Sequence, residues 1–201
     1  DWTDLGECHD RDGIHRRSGR IYKITYGKPS RLAAFDLQDL STTELINLQI
    51  HKNDWFVRHA RRILQERAVG GGDQTTAVSL LKDNFRESVD TTRKLRFLWC
   101  LHAIGKSGEV LEELLNDTNE HLRVWGVRLL FENNLPSKYR ATALTDLALR
   151  ETSGLVRLHI AAAMAKVSHA LRWTVATALV EKTPVADDER LMAMIWYAIE
   201  P

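Results

Sequence analysis

The chain has 201 residues, 44% of them hydrophobic and 27% charged, which are the proportions of an ordinary globular protein. Its 28 Lys and Arg against 27 Asp and Glu leave a formal charge of +1, without the basic excess of a dedicated nucleic-acid binder. The two cysteines, Cys8 and Cys100, form no Cys-x-x-Cys, so no zinc site or c-type haem attachment is readable, and no run of about 18 apolar residues marks a transmembrane helix.

The chain opens on Asp1-Trp2 without an initiator Met, as a piece of a longer polypeptide would. Residues 1–30 are rich in glycine, and Arg20-Ile21-Tyr22-Lys23-Ile24-Thr25-Tyr26 alternates apolar and polar between Gly19 and Gly27. That pattern predicts a strand, which needs a partner to be stable in water. Lys28-Pro29-Ser30 then punctuates the chain. Two domains are expected: a β segment over 1–30 and a helical region over 31–201.

Residues 31–40 lack a clear period. Ser41-Thr42-Thr43-Glu44 spells a capping box, which predicts a helix over 42–50. From there the chain alternates between first helices (42–50, 74–86, 108–115, 138–150 and 170–182) and second helices (54–68, 91–104, 119–133, 154–167 and 188–199). Gly70-Gly71-Gly72, Gly105, Asn133-Asn134-Leu135-Pro136 and Thr183-Pro184 fall at the expected turns.

Aligning the second helices exposes a repeat. Arg58, Arg96, Arg123 and Arg157 occupy one position, and Met192 occupies it in the last unit. Four residues earlier sit Asp54, Thr92, Asn119, Ser153 and Asp188, each able to cap a helix. Just before the arginine stand Val57, Leu95, Leu122, Val156 and Leu191. Two helices repeating every 30–40 residues signal an α-solenoid. The expected fold is all-α, a HEAT/armadillo-like α-α superhelix of about five hairpins with a short N-terminal β segment.

The Asp-x-x-Val-Arg-x-x-Ala-like pattern on the second helices resembles HEAT repeats over residues 41–201. A second resemblance rests on Asp1-Trp2-Thr3-Asp4-Leu5-Gly6-Glu7-Cys8-His9-Asp10, Gly13-Ile14-His15-Arg16 and Ser18-Gly19-Arg20-Ile21-Tyr22-Lys23-Ile24. These resemble the closing propeller strand of the planctomycete and verrucomicrobial membrane-bound dehydrogenases, proteins similar to quinoprotein sugar dehydrogenases. Leu48-Gln49-Ile50-His51-Lys52-Asn53-Asp54-Trp55-Phe56-Val57-Arg58-His59-Ala60-Arg61-Arg62 resembles the start of their HEAT-like region. The resemblance implies a catalytic propeller before this region, often a cytochrome c domain after it, and an extracytoplasmic, membrane-associated location. It assigns no catalytic residue or cofactor to these 201 residues.

Several clusters invite a chemical reading. Cys8, His9 and His15, with Asp10 and Asp12 nearby, have ligand chemistry. Their spacing matches no metal motif, and Arg11, Arg16 and Arg17 would repel a cation, so loop packing is the expected role of Cys8, His9, His15 and Arg16. The arginine ladder Arg58, Arg96, Arg123 and Arg157 is expected to fix stacking by reaching acceptors on neighbouring repeats; the alternative is a row facing an anionic partner. Arg58, Arg61 and Arg62 share a helix face, with Arg67 a turn beyond. Trp99 and Trp125 sit among aliphatic residues and are expected in the core, with Gly126 allowing a close helix approach. His51, His59, His102, His121, His159 and His169 form no metal motif, and Gly70-Gly71-Gly72 lacks the Lys of a phosphate loop.

The expected function is a non-catalytic scaffold or docking surface for a protein partner or for neighbouring domains of the same chain, the propeller and cytochrome c. The alternative is a HEAT-like DNA-binding protein or alkylpurine DNA glycosylase, a class that pairs tryptophans with an aspartate on a basic face. The near-neutral charge disfavours nucleic acid, and the glycosylase motif is not matched.

Overall fold

The computed structural model describes residues 22, 24–28, 35–132, 137–181 and 188–200. Among the described residues the fold is all-α and contains no strand. Of the segment expected as a strand, Arg20, Ile21 and Lys23 lie outside the described residues. Tyr22, Ile24, Thr25 and Tyr26 are exposed and not in a strand; a strand without a ladder partner has no stabilising hydrogen bonds.

The helical unit runs from Asp36 onward. The stretch before Ser41, which showed no period, makes one 3-10 turn, Leu37–Asp39, capped by Asp36, and buries Leu37. Helix α1, Thr42–Asn47, starts on the expected box: Ser41 Oγ accepts the Glu44 amide, and the Glu44 carboxylate accepts the Ser41 amide at 2.8 Å. The helix does not continue to residue 50. It tightens into a 3-10 turn, Leu48–Ile50, where the buried Gln49 side chain donates to the Val57 carbonyl at 3.3 Å.

Nine more helices follow: α2 Asp54–Val69, α3 Thr75–Glu87, α4 Thr91–Ala103, α5 Gly108–Leu115, α6 Glu120–Leu130, α7 Ser137–Arg150, α8 Gly154–Met164, α9 His169–Glu181 and α10 Glu189–Ile199. Gly71 and Gly105 have φ of +79° and +73°, the left-handed conformation that reverses the chain after a helix at no steric cost to glycine. The turns expected at residues 133–136 and 183–184 lie outside the described residues.

The caps correct the repeat alignment. Asn119, Ser153 and Asp188 cap α6, α8 and α10 as expected. Helices α2 and α4 are capped by Asn53 and Asp90 instead of Asp54 and Thr92. Both true caps hold an extended backbone that lets the side-chain oxygen accept a first-turn amide, that of Trp55 or of Arg93.

The helices form two rows. Each odd-numbered helix packs on the even-numbered helix that follows it. The even helices pack in succession, α2 on α4, α4 on α6, α6 on α8 and α8 on α10. In the odd row α1 packs on α3 and α7 on α9. Ion pairs Lys82–Glu109 and Arg86–Glu113 tie α3 to α5. Tyr139 donates to Glu112 at 2.7 Å, and Arg150 donates to the Leu115 carbonyl at 3.0 Å, tying α5 to α7.

The apolar interior forms two clusters that meet inside the α5/α6 pair. Leu111, Leu114, Leu122 and Leu129 point back toward the first two pairs. Leu115, Val124, Val127 and Leu130 point forward to the last two. Each fully buried leucine contributes about 1.5–3 kcal/mol. Helices α5 and α6 approach closely at Gly126, where a Cβ would lie 3.1 Å from Leu114 Cβ and from Leu115 Cδ2.

Candidate interaction surface

The shifted caps decide where each ladder arginine points. Arg58 is the fifth residue after its cap, Arg96 the sixth, and Arg123 and Arg157 the fourth. One residue turns a helix by about 100°, so the four do not share a face. Arg58 is exposed and pairs with Asp54 in its own helix. Arg96 reaches back to the preceding pair, donating to the His51 carbonyl at 3.0 Å and approaching Asp54 at 3.4 Å.

Arg123 and Arg157 reach forward. The Arg123 fork donates to both oxygens of Glu151, at 2.7 and 2.8 Å, and its third nitrogen to the Asp117 carbonyl at 2.8 Å. Glu151 is only 4% exposed and also accepts the amides of Thr152 and Ser153. Arg157 is buried and donates to the Leu179 carbonyl in α9. Three of the four thus bridge consecutive helix pairs. Buried Glu151, which holds one of these junctions, and buried Gln49, whose backbone carbonyl accepts from Arg96 at 3.3 Å, carried no periodic signal in the sequence.

A different row runs across the even helices. The Arg61 guanidinium lies 5.4 Å from the Trp99 ring centre. Trp99 meets Trp125 edge-on at 4.9 Å, and Arg128 lies 4.2 Å over Trp125. The row links α2, α4 and α6, and its members are spaced irregularly in sequence. Both tryptophans are half-buried: Trp125 packs against the core as expected, and the two rings together also form a seam at the edge of that core. The other helical tryptophans, Trp55, Trp173 and Trp196, are exposed.

The two rows differ in charge over the first three pairs. Helix α2 carries four Arg and two carboxylates, α4 three cations and no carboxylate, and α6 two Arg and one carboxylate. Helix α1 has one carboxylate, α3 two of each sign, and α5 three carboxylates alone. The near-zero net charge therefore conceals a basic even row and an acidic odd row. Not every cation is available: Arg67 is spent on the Gln38 and Leu40 carbonyls, and Lys94 faces Asp117 at 3.4 Å. Burial, and then the charge of Arg128, holds His159 below its ordinary pKa of 6.5, so it is neutral at pH 7.

The last pair carries an apolar groove of about 330 Å³, lined by Trp173, Val180, Met192, Ile195 and Trp196. Met192 is the fourth residue after its cap, as Arg123 and Arg157 are. Trp196 follows one turn later, at the position where Val127 and Ala161 are buried.

Cys100 is a free thiol, and burial pushes its pKa up to about 12, which makes it a poor nucleophile or ligand. Cys8, His9, His15 and Arg16 lie outside the described residues. Among the described residues no group of His, Cys, Asp and Glu is placed to hold a metal ion, and no helix is long and apolar enough to cross a membrane.

These observations define the class of the protein: among the described residues it is all-α, with helix pairs laid side by side in two rows. No family model, curated protein or solved structure matches it.

Proposed function

We propose that the chain is a non-catalytic helical-repeat scaffold, a HEAT/armadillo-like α-α superhelix that offers its even-helix surface to a protein partner or to neighbouring domains of the same chain. The observation that carries this reading is the open succession α2, α4, α6, α8 and α10, each packed on the next. Stacking of this kind makes an extended surface from local contacts. Residue chemistry agrees, since the polar side chains at the junctions are spent on structure.

Small-angle scattering tests the architecture. A compact globule of this length has a radius of gyration of roughly 16–17 Å. The superhelix should exceed that value and give a distance distribution with a long tail, whereas a closed bundle would give a compact, symmetric one.

The sequence resemblance supplies the biological setting. The module would belong to a membrane-bound, quinoprotein dehydrogenase-like protein, with the N-terminal β segment finding its partners in a preceding propeller. An upstream reading frame that encodes no propeller would remove that setting and leave the scaffold reading intact.

The basic even row with Trp99 and Trp125 favours a second reading, a HEAT-like DNA-binding protein or alkylpurine DNA glycosylase. It requires salt-dependent binding of duplex DNA and release of alkylated purine, and fails if neither is seen at low salt.

A further inference from the structure

We propose that the partner is an acidic segment of protein that docks across the even helices of the first three pairs, with its carboxylates on Arg58 and Arg128 and its apolar atoms over the Trp99–Trp125 seam. The inference rests on the scaffold reading above and adds the chemistry of what the scaffold holds.

Four observations converge. The even row is basic where the odd row is acidic, so the field around the stack steers an anionic partner to one side. The cations in that row are mainly arginine; its one lysine, Lys94, already faces Asp117. Planar guanidinium forks suit carboxylates in a way that lysine does not. The seam between α4 and α6 presents two tryptophan rings edge to face with arginines at both ends, the residue types that dominate binding energy at protein interfaces. Finally, the cations at the rim are accessible. Arg128 is exposed, and Arg58 is held only by the surface pair with Asp54, which is worth about 1 kcal/mol or less and is easily exchanged.

A nucleic-acid backbone fits this face less well. Phosphates repeat about every 3.4 Å along a strand, whereas here the guanidiniums are separated by indole rings, and Asp54 and Glu66 stand beside Arg58 and Arg62. A flexible peptide can place its carboxylates on separated forks and keep clear of those two acids.

The test uses the full chain, fluorescein-labelled poly-L-glutamate of about 15 residues, and a labelled 20-base-pair duplex DNA, each titrated at low salt. Anisotropy should rise with poly-L-glutamate, and tryptophan emission should change at the same midpoint. The Arg58→Glu/Arg128→Glu variant should weaken binding by about tenfold or more, as reversing rim charges does. Lys166→Glu, on an exposed lysine outside the row, should leave it unchanged. Circular dichroism checks that the variant stays helical; should it not, Arg58→Gln/Arg128→Gln takes its place.

Absence of peptide binding overturns the proposal, as does binding that survives the charge reversal. Tighter binding of the duplex, lost in the same variant, would assign the face to phosphate. If scattering still reports an elongated stack while the peptide fails to bind, the partner class falls and the scaffold reading stands.

Discussion

The guanidinium of Arg123 forks onto both carboxylate oxygens of Glu151, at 2.7 and 2.8 Å, across the junction between the third and fourth helix pairs. Glu151 also accepts the amides of Thr152 and Ser153, so one carboxylate holds α6 and fixes the start of α8. Removing one partner of a buried pair leaves the other charge uncompensated.

Glu151→Ala should therefore lower unfolding stability by about 3 kcal/mol, read as a shift in the urea midpoint. The double variant Arg123→Ala/Glu151→Ala should cost clearly less than the two single changes added. Strict additivity would mean the fork contributes no coupling.

The same pair sets a pH dependence. Burial alone would raise the Glu151 pKa, but the hydrogen bonds from Arg123 and from the Ser153 and Thr152 amides outweigh it and hold the group below its ordinary value of 4.5. Because the folded value is the lower one, this stabilisation is complete above the unfolded value and disappears as pH falls through the folded value. Stability measured from pH 7 down to pH 3 should fall less steeply in Glu151→Gln than in the parent. Parallel curves would mean that the carboxylate is not linked to folding.

Asp90, not Thr92, accepts the first-turn amide of α4, that of Arg93, at 2.8 Å. Asp90→Ala should cost about 1 kcal/mol, and Thr92→Ala, at an exposed site in the first turn, should cost far less. Thermal melting of both variants decides it, and the reverse order would restore the alignment read from sequence.

Gly126→Ala adds about 1 kcal/mol of helix propensity but places a methyl group 3.1 Å from Leu114 Cβ and 3.4 Å from the Leu115 backbone nitrogen. Neither atom can swing aside by side-chain rotation, so the steric term should win and the variant should be less stable by about 1 kcal/mol. A raised melting temperature would show that α5 yields at little cost.

How much of this was legible beforehand differs from element to element. Ten helices, the Ser41–Glu44 box and the turns at Gly71 and Gly105 follow from apolar periodicity, polar caps and backbone freedom, which act within a few residues of chain. The stacking role expected of the arginine ladder holds for Arg96, Arg123 and Arg157 and not for Arg58. The four point in different directions because the caps of α2 and α4 lie one and two residues earlier than the alignment places them, and one residue turns a side chain to another face of the helix. The aliphatic neighbours of Trp99 and Trp125 point to core packing, and Trp125 does pack against the core; the edge-on contact of the two rings is not legible locally, because it joins positions 26 residues apart in sequence.

Sequence alone thus determined that helices form and where each begins and ends to within a few residues, since those choices depend on local hydrogen bonding and on burying one stripe of side chains. Tertiary structure alone decided that Arg123 meets Glu151, that Gln49 and Arg157 turn inward, and that Arg61, Trp99, Trp125 and Arg128 come together in one row. Those outcomes depend on the rotation of one helix against another, and packing sets that rotation through atoms far apart in the chain.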